Sequence, residues 1–284
     1  MQQLDLDIIG THLQIQIDTS SSCDEDFSHI CSYLTDFELR YSRFIEGNWL
    51  YGVNMSRRGV LDKAGKQIIE FMLDLSEKSD GYFDPTVGKR LTELGYGNQK
   101  IKSEPIIEKK GYGDYRDIEI SGDSIILHGD IFLEFGGVGK GYLIDQIQHI
   151  LSKYPRFLIN FGGDIYGRGG WTIGLESPFS ADEIIGTIIL DDHYLASSAG
   201  TRRKWGIYHH LIDPHTGESA NNVISSYIEG QSGMMTDAYA MILCVMPWEL
   251  ACITLEKNPE ISGVIVSKDG YIYQKHGSQA DIFV

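Results

Sequence analysis

The sequence predicts an α+β protein in which mixed sheets are flanked by helices. Three observations support this class: helical and strand-like patterns are mixed along the 284 residues, no linker or internal repeat separates them, and the 42% hydrophobic content is enough for a full core. The simplest interpretation is one compact domain, residues 1–284, with two lobes.

Hydrophobic periodicity predicts the individual elements in order. Helical spacing indicates helices over residues 26–44 and 61–76, another directly after Gly141, and a buried one from about residue 236. Alternation bounded by glycine, proline and polar turns predicts strands. These strands are expected at 13–17, 124–127, 131–135, 157–161, 171–176, 184–190, 208–212, 225–229 and 263–266.

Charge and cysteine spacing argue against two kinds of site. The formal net charge is -16 at pH 7 and no basic run occurs, so we expect no nucleic-acid partner. An acidic protein that binds phosphate needs a local lysine, a helix N-terminus or a divalent cation to offset the repulsion. The four cysteines, Cys23, Cys31, Cys244 and Cys252, lack C-x-x-C spacing and do not predict a zinc site.

The N-terminal sequence has neither the basic region nor the apolar region of a signal peptide, and no run of about 18 apolar residues occurs. We therefore expect no transmembrane segment and a cytoplasmic location for the chain as it stands. If a signal segment had been removed, a periplasmic or membrane-anchored location would be expected instead.

Residues 134–142, which read EFGGVGKGY, are the most informative segment. Four glycines and Lys140 lie between a predicted strand and a predicted amphipathic helix. Glycine allows a ligand to approach the backbone, and the free N–H groups at a helix start attract anions. The spacing matches neither a Walker A loop nor the dinucleotide fingerprint G-x-G-x-x-G. Taken alone, the segment fits tight helix packing and phosphate binding equally well.

Four further segments place polar groups in predicted turns or at element ends. Residues 80–88 and 160–164 carry carboxylate, hydroxyl and amide groups that ordinary turn chemistry also explains. His210 is a candidate base and Arg203 a candidate phosphate ligand, although a single histidine is more often structural. Asp237 stands near the start of the predicted buried helix, where N-capping is the simpler interpretation.

In this order, the segments resemble those of the ApbE family of flavin transferases. The matching runs are DGYFDPT from residue 80, EFGGVGKGY from 134, NFGGD from 160, HLIDPHTG from 210 and TDA from 236. The run YSRF from residue 41, with Asn54 further on, resembles the family's segment between its first two helices. The resemblance extends from Ile9 nearly to the end of the chain.

The resemblance implies a flavin site between two lobes and an enzyme that, with Mg²⁺, transfers the FMN part of FAD to a Ser or Thr hydroxyl of an acceptor protein and releases AMP. Matched by position, the metal ligands are the Asp237 carboxylate and the Gly137 carbonyl. The expected catalytic residues are His210, Asp237 and Arg203. The expected FAD contacts are Ile9, Asn54, Tyr82, Phe83, Asp84, Glu134, Lys140, Asn160, Asp164 and Ile212.

Two positions depart from the family pattern. Met241 stands where Thr or Ser is usual, and a thioether is a poor ligand for Mg²⁺, which leaves Thr236 or a water as substitute. Glu134 stands where aspartate is usual and carries its charge on a longer arm. The alternative function is therefore an FAD-binding protein or a Mg²⁺-dependent FAD pyrophosphatase with weak or no transferase activity.

Overall fold

The computed structural model describes residues 1–97, 114–180 and 182–283. It combines helices with sheets, which confirms the α+β class. The helices are α1 (Asp24–Tyr41), α2 (Trp49–Ser56), α3 (Lys63–Lys78), α4 (Gly88–Glu93), α5 (Gly139–Ile150), α6 (Gly233–Val245) and α7 (Trp248–Lys257), with one 3₁₀ turn at Tyr115–Asp117.

A central antiparallel sheet of eight strands organises the fold. In spatial order its strands are β1 (Gln2–Ile8), β2 (Thr11–Ile17), β6 (Phe157–Phe161), β7 (Asp164–Arg168), β10 (His193–Ala199), β15 (Val223–Gly230), β16 (Ile261–Ser267) and β17 (Ile272–Gln274).

Four smaller sheets surround the central one. They are formed by β3 (Arg58–Val60), β5 (Ser124–Leu127) and β4 (Ile118–Ser121); by β18 (Asp281–Ile282), β9 (Ile184–Leu190) and β8 (Trp171–Glu176); by β11 (Lys204–Trp205) and β12 (Tyr208–His209); and by β13 (Ile212–Asp213) and β14 (Glu218–Ser219).

The larger hydrophobic core includes the buried residues of α1, α3, α5 and α6, and α6 packs on β10 and β15. Helix α6 is buried on nearly every side, which explains its almost continuous apolar sequence. A second cluster joins β8 and β9 to other residues of the central sheet, among them Leu195 and Val264. Helices α5 and α6 therefore both pack on the central sheet.

Three local predictions were wrong. Residues 131–135 form no strand of a sheet, because the Leu133 backbone pairs with the side-chain amide of Asn54 at 2.7 and 3.1 Å. Residues 208–212 are divided between the short strands β12 and β13, which belong to different sheets. Helix α6 begins before Thr236, with Ser232 as its N-cap, so neither Thr236 nor Asp237 caps it.

Helices α5 and α6 cross in close contact at two glycines. A Cβ atom added to Gly141 would collide with the carbonyl oxygen of Gly233, and one added to Gly233 would collide with the carbonyl oxygen of Gly141. Only residues without a side chain allow this approach. None of the helices among the described residues is long and apolar enough to cross a bilayer.

Candidate active site

Two adjoining cavities meet beside the glycine turn. The first, called the large cavity, has a volume of about 400 Å³ and an aromatic wall of Phe37, Tyr41, Phe44, Phe83, Tyr96 and Phe135. The second, called the small cavity, has a volume of about 70 Å³ and is also lined by Ser197, Ser198, Ala199, Arg202 and Asp237. The two share Gly136, Gly137, Lys140, Arg203, His210 and Met241. An apolar cavity with a few convergent polar groups is the usual form of a ligand site.

Lys140 lies where the cavities meet, in the first turn of α5. Its ammonium group contacts the carboxylate of Asp164 and lies 3.3 Å from Asp237 Oδ1. Burial lowers the pKa of Lys140 below its ordinary value, and the Asp237 charge opposes that shift. The start of α5 thus brings a partly buried cation and a helix N-terminus to one point, which suits an anionic ligand.

The starts of α5 and α6 are tied together by two aspartates. Asp237 of α6 accepts a hydrogen bond from the Gly141 N–H at 3.0 Å. Asp145 of α5 accepts hydrogen bonds from the N–H groups of Gly233 and Met234 at 2.8 and 3.2 Å. Each carboxylate therefore satisfies otherwise unpaired N–H groups at the start of the other helix.

Glu134 is held by the arginine that sequence reasoning left without a role. Its carboxylate forms an ion pair with Arg43 at 2.9 Å and accepts the Gly136 N–H at 2.8 Å. The Arg43 guanidinium also lies over the rings of Phe44 and Tyr96, 4.6 and 4.8 Å from their centroids. The longer arm of Glu134 thus braces the glycine turn against the aromatic wall. The sequence signal that could have predicted this contact is the run YSRF, in which Arg43 stands directly before an aromatic residue.

His210 lies between β12 and β13 with its Nδ1 buried and without a hydrogen-bond partner among the described residues. Burial, followed by the positive charge of Arg203, lowers its pKa to about 3. The imidazole is therefore neutral at physiological pH, and the residue lines both cavities. Arg203 is exposed and donates a hydrogen bond to the Tyr96 hydroxyl at 3.4 Å.

Ile9 lines the large cavity from the tight turn that joins β1 to β2. Its φ of 55° lies in the left-handed region, which is unusual for a β-branched residue and costs about 1–2 kcal/mol. The Ile9 N–H donates to Glu38 Oε1 at 2.8 Å, which helps to hold this conformation. Backbone strain of this kind is concentrated at functional sites.

The other predicted FAD contacts divide into two groups. Phe83 and Asp84 line the large cavity, but both oxygens of the Asp84 carboxylate are engaged by neighbouring N–H and hydroxyl groups. The remaining five lie outside both cavity walls: Asn54 on the Leu133 backbone, Tyr82 against His215, Asn160 accepting from Gly163 N–H, Asp164 behind Lys140, and Ile212 in a small core with Leu91 and Leu94.

The predicted metal ligands Gly137 and Asp237 both line the small cavity, together with Met241. Mg²⁺ commonly takes only one or two carboxylates and completes its shell with substrate phosphates and water, so this donor set fits the ion without a closed cage. Among the described residues, no group of three or more His, Cys, Asp or Glu could hold a metal. The Thr236 hydroxyl donates to the Ser232 carbonyl at 2.6 Å and lines neither cavity.

Sequence comparison decides the family. The sequence model of the ApbE family matches residues 9–265. The chain belongs to the ApbE family. The resemblance of the sequence motifs is thereby confirmed.

Curated ApbE relatives are distant in sequence. A protein named FAD:protein FMN transferase from Treponema pallidum (strain Nichols) is 24% identical over 243 residues, 74% of this chain and 67% of the relative. Another of that name from Klebsiella pneumoniae (strain 342) is 28% identical over 148 residues, 48% of this chain and 46% of the relative. The matches therefore span from less than half to about two thirds of these relatives.

Solved ApbE structures share the fold over nearly the full chain. The ApbE protein of Thermotoga maritima superposes with a TM-score of 0.87 at 24% identity, covering 97% of both chains. The flavin transferase ApbE of Vibrio cholerae gives a TM-score of 0.81 at 20% identity, again covering 97% of both. At these identities the structures establish the fold of this ApbE-family chain.

Proposed function

We propose that this chain is an FAD:protein FMN transferase that acts as a single domain over residues 1–284. It transfers the FMN part of FAD to a Ser or Thr hydroxyl of an acceptor protein and releases AMP. The observation that carries the proposal is the meeting, at one point, of an aromatic cavity, the start of α5 with Lys140, and the neutral imidazole of His210. The names of the relatives support it.

The two kinds of surface at the site suit the two parts of a dinucleotide. The aromatic wall of the large cavity favours stacking of a flat ring system. The start of α5, with Lys140 and Arg203 beside it, favours the pyrophosphate, because N–H dipoles and positive charges offset the repulsion expected on a chain of net charge -16. FAD therefore binds with its phosphates at the junction of the cavities.

The transfer exchanges one phosphorus–oxygen bond for another. The acceptor hydroxyl oxygen bonds to the phosphorus of the FMN half, and the bond from that phosphorus to the bridging oxygen breaks, so AMP leaves with the bridging oxygen. The hydroxyl proton passes to the neutral imidazole of His210, which lines both cavities. The negative charge of bound pyrophosphate raises the pKa of His210 from about 3 and makes it a better base. Lys140 and Arg203 stabilise the charge on the phosphates.

Mg²⁺ supplies further charge neutralisation at the pyrophosphate when it is bound. The Asp237 carboxylate and the Gly137 carbonyl, which both line the small cavity, would hold the ion. The Lys140 ammonium, 3.3 Å from Asp237 Oδ1, would share that carboxylate with the ion and place a second positive charge at the pyrophosphate.

The test is to incubate the protein with FAD, Mg²⁺ and threonine-containing peptides, and to measure AMP, free FMN and peptide-bound flavin separately. The proposal requires AMP in step with covalently bound flavin, and both should fall when a chelator removes Mg²⁺. A control reaction, in which the protein is denatured with acid before FAD and peptide are added, gives the background. A protein that binds no FAD contradicts the proposal altogether.

Met241 gives a second candidate function specific support. Its thioether lies against Gly137, at the place where the family pattern has a hydroxyl, and so removes one oxygen ligand from the metal. A weaker metal site favours FAD binding with hydrolysis to FMN and AMP, or with no turnover. In the same assay, AMP with free FMN identifies a pyrophosphatase, and retained FAD without AMP identifies a binding protein.

A further inference from the structure

The small cavity has a wall that the large cavity lacks. Ser197, Ser198 and Ala199, at the end of β10, line it, and the exposed residues 201–204 follow directly along the chain. Ser198 pairs in register with Ser226, whose hydroxyl bonds to α6, so Ser198 projects from the sheet face that α6 covers. Its own hydroxyl makes no hydrogen bond to any residue in the described part of the chain, so it is available to a ligand.

Size separates the two cavities as clearly as polarity does. Sites for drug-sized ligands usually measure about 300–1,000 Å³, a range that includes the large cavity at about 400 Å³. The small cavity, at about 70 Å³, is below this range but larger than the roughly 10–15 Å³ that one water requires. Beside the Mg²⁺ proposed at Gly137 and Asp237, which line the same cavity, it leaves room for a single short polar side chain but not for either nucleotide half of FAD.

Position points to the same occupant. The small cavity shares Lys140, His210 and Arg203 with the large one, so a group inside it reaches the proposed phosphate position from another direction. Phosphoryl transfer needs the attacking and leaving oxygens roughly in line on opposite sides of phosphorus. A hydroxyl entering through the small cavity also meets the neutral imidazole of His210, which lines that cavity.

We propose that the small cavity receives the hydroxyl side chain of the acceptor protein, while the end of β10 and the exposed residues 201–204 lie along the acceptor backbone. This inference rests on the proposed transferase function and assigns its second substrate to a surface of the chain. The acceptor site is expected in an exposed, extended segment, because such a segment can project one short side chain into the cavity.

The experiment places the same substitution in each cavity. Ser198→Val fills the small cavity and removes its free hydroxyl, whereas Ser42→Val narrows the large cavity, which Ser42 lines. The probes are FAD, whose affinity is measured by flavin fluorescence, and a peptide library with one fixed central threonine, whose labelling is measured as covalently bound flavin. We expect Ser198→Val to lower labelling about tenfold through a higher peptide KM, with the FAD Kd changed less than twofold. We expect Ser42→Val to raise the FAD Kd instead.

Each other outcome counts against the inference. If Ser198→Val raises the FAD Kd as much as it lowers labelling, the small cavity holds phosphate rather than the acceptor. If the unaltered protein binds FAD but labels no peptide, the proposed transferase function is wrong, and the inference that rests on it is wrong too. If the unaltered protein and Ser198→Val label the peptide equally well, only the inference is wrong. Ser198→Thr adds one methyl group at the same position and replaces Ser198→Val if that variant does not fold.

Discussion

Helices α5 and α6 begin on the same plan. Each has a glycine in its first turn, Gly141 or Gly233, and an aspartate four residues later, Asp145 or Asp237. The glycines meet at the crossing, and each aspartate accepts N–H groups from the start of the opposite helix. The two regions are thus equivalent as packing, and their shared features explain how the helices hold each other.

The regions differ in what lies beside each carboxylate. Asp237 has the Lys140 ammonium at 3.3 Å and faces the small cavity. Asp145 is largely buried and has the hydroxyl of Tyr194 as its further partner. Of the two aspartates, which have the same packing role, Asp237 lines the small cavity and Asp145 lines neither cavity. Substitutions at matching positions can therefore separate stability from function.

The largest expected effect is on stability, and it should be equal for the crossing glycines of α5 and α6. Gly141→Ala and Gly233→Ala each force a methyl group into a backbone carbonyl of the other helix, which we expect to lower the free energy of unfolding by about 3 kcal/mol. Urea unfolding measures this. Gly139→Ala is the control, because its Cβ would meet only Phe37 at an ordinary 3.8 Å. An unchanged free energy of unfolding in either variant would mean that the two helices can move apart without loss of stability.

The next effect distinguishes the two sides. Asp237→Asn retains an oxygen that can accept the Gly141 N–H but removes the charge beside Lys140, so we expect AMP release from FAD to fall about a hundredfold. Asp145→Asn is the matched control and should keep AMP release within about threefold. Equal losses in both variants would show that the two carboxylates act only through packing.

A smaller effect is expected one helical turn beyond Asp237. Met241→Thr restores a hydroxyl beside Gly137 in the small cavity, so we expect Mg²⁺ to bind about tenfold more tightly, measured by titration of AMP release and by calorimetry. Met235→Thr, on the same helix but outside both cavity walls, is the control. Unchanged Mg²⁺ affinity in Met241→Thr would mean that another group completes the site.

The smallest effect concerns acidity. Burial raises the pKa of Asp145 above its ordinary value, so the folded state favours the protonated carboxyl. As pH falls from neutral toward the ordinary value of about 3.9, protonation should therefore stabilise the unaltered protein relative to Asp145→Asn. Urea unfolding of both proteins across this range measures the difference. A difference that is constant with pH would show that Asp145 does not titrate differently in the folded state.

Local pattern was sufficient for much of the fold. The apolar spacing after Gly141 predicted α5, and the strands at 157–161 and 171–176 were predicted with the bounds that the structure has. Where prediction failed, the deciding partner was distant in sequence. The Leu133 backbone is satisfied by Asn54, 79 residues away, so an extended segment resembled a strand.

The same limit applies to the candidate site. The family resemblance assigned Lys140, His210 and Asp237 to one site, and the structure places all three in the wall of the small cavity; their roles there stay predictions. Sequence motifs could not reveal that Asp145 mirrors Asp237, since that relation depends on the crossing of two helices. Nor could they reveal the small cavity, whose wall at Ser198 carries no motif.

The turn at Ile9 holds a β-branched side chain on a backbone conformation that such residues disfavour. Asparagine or glycine would adopt its left-handed backbone with less strain, and a single codon change separates isoleucine from asparagine. Replacing Ile9 with either residue would therefore relieve the strain but remove a branched side chain from the wall of the large cavity.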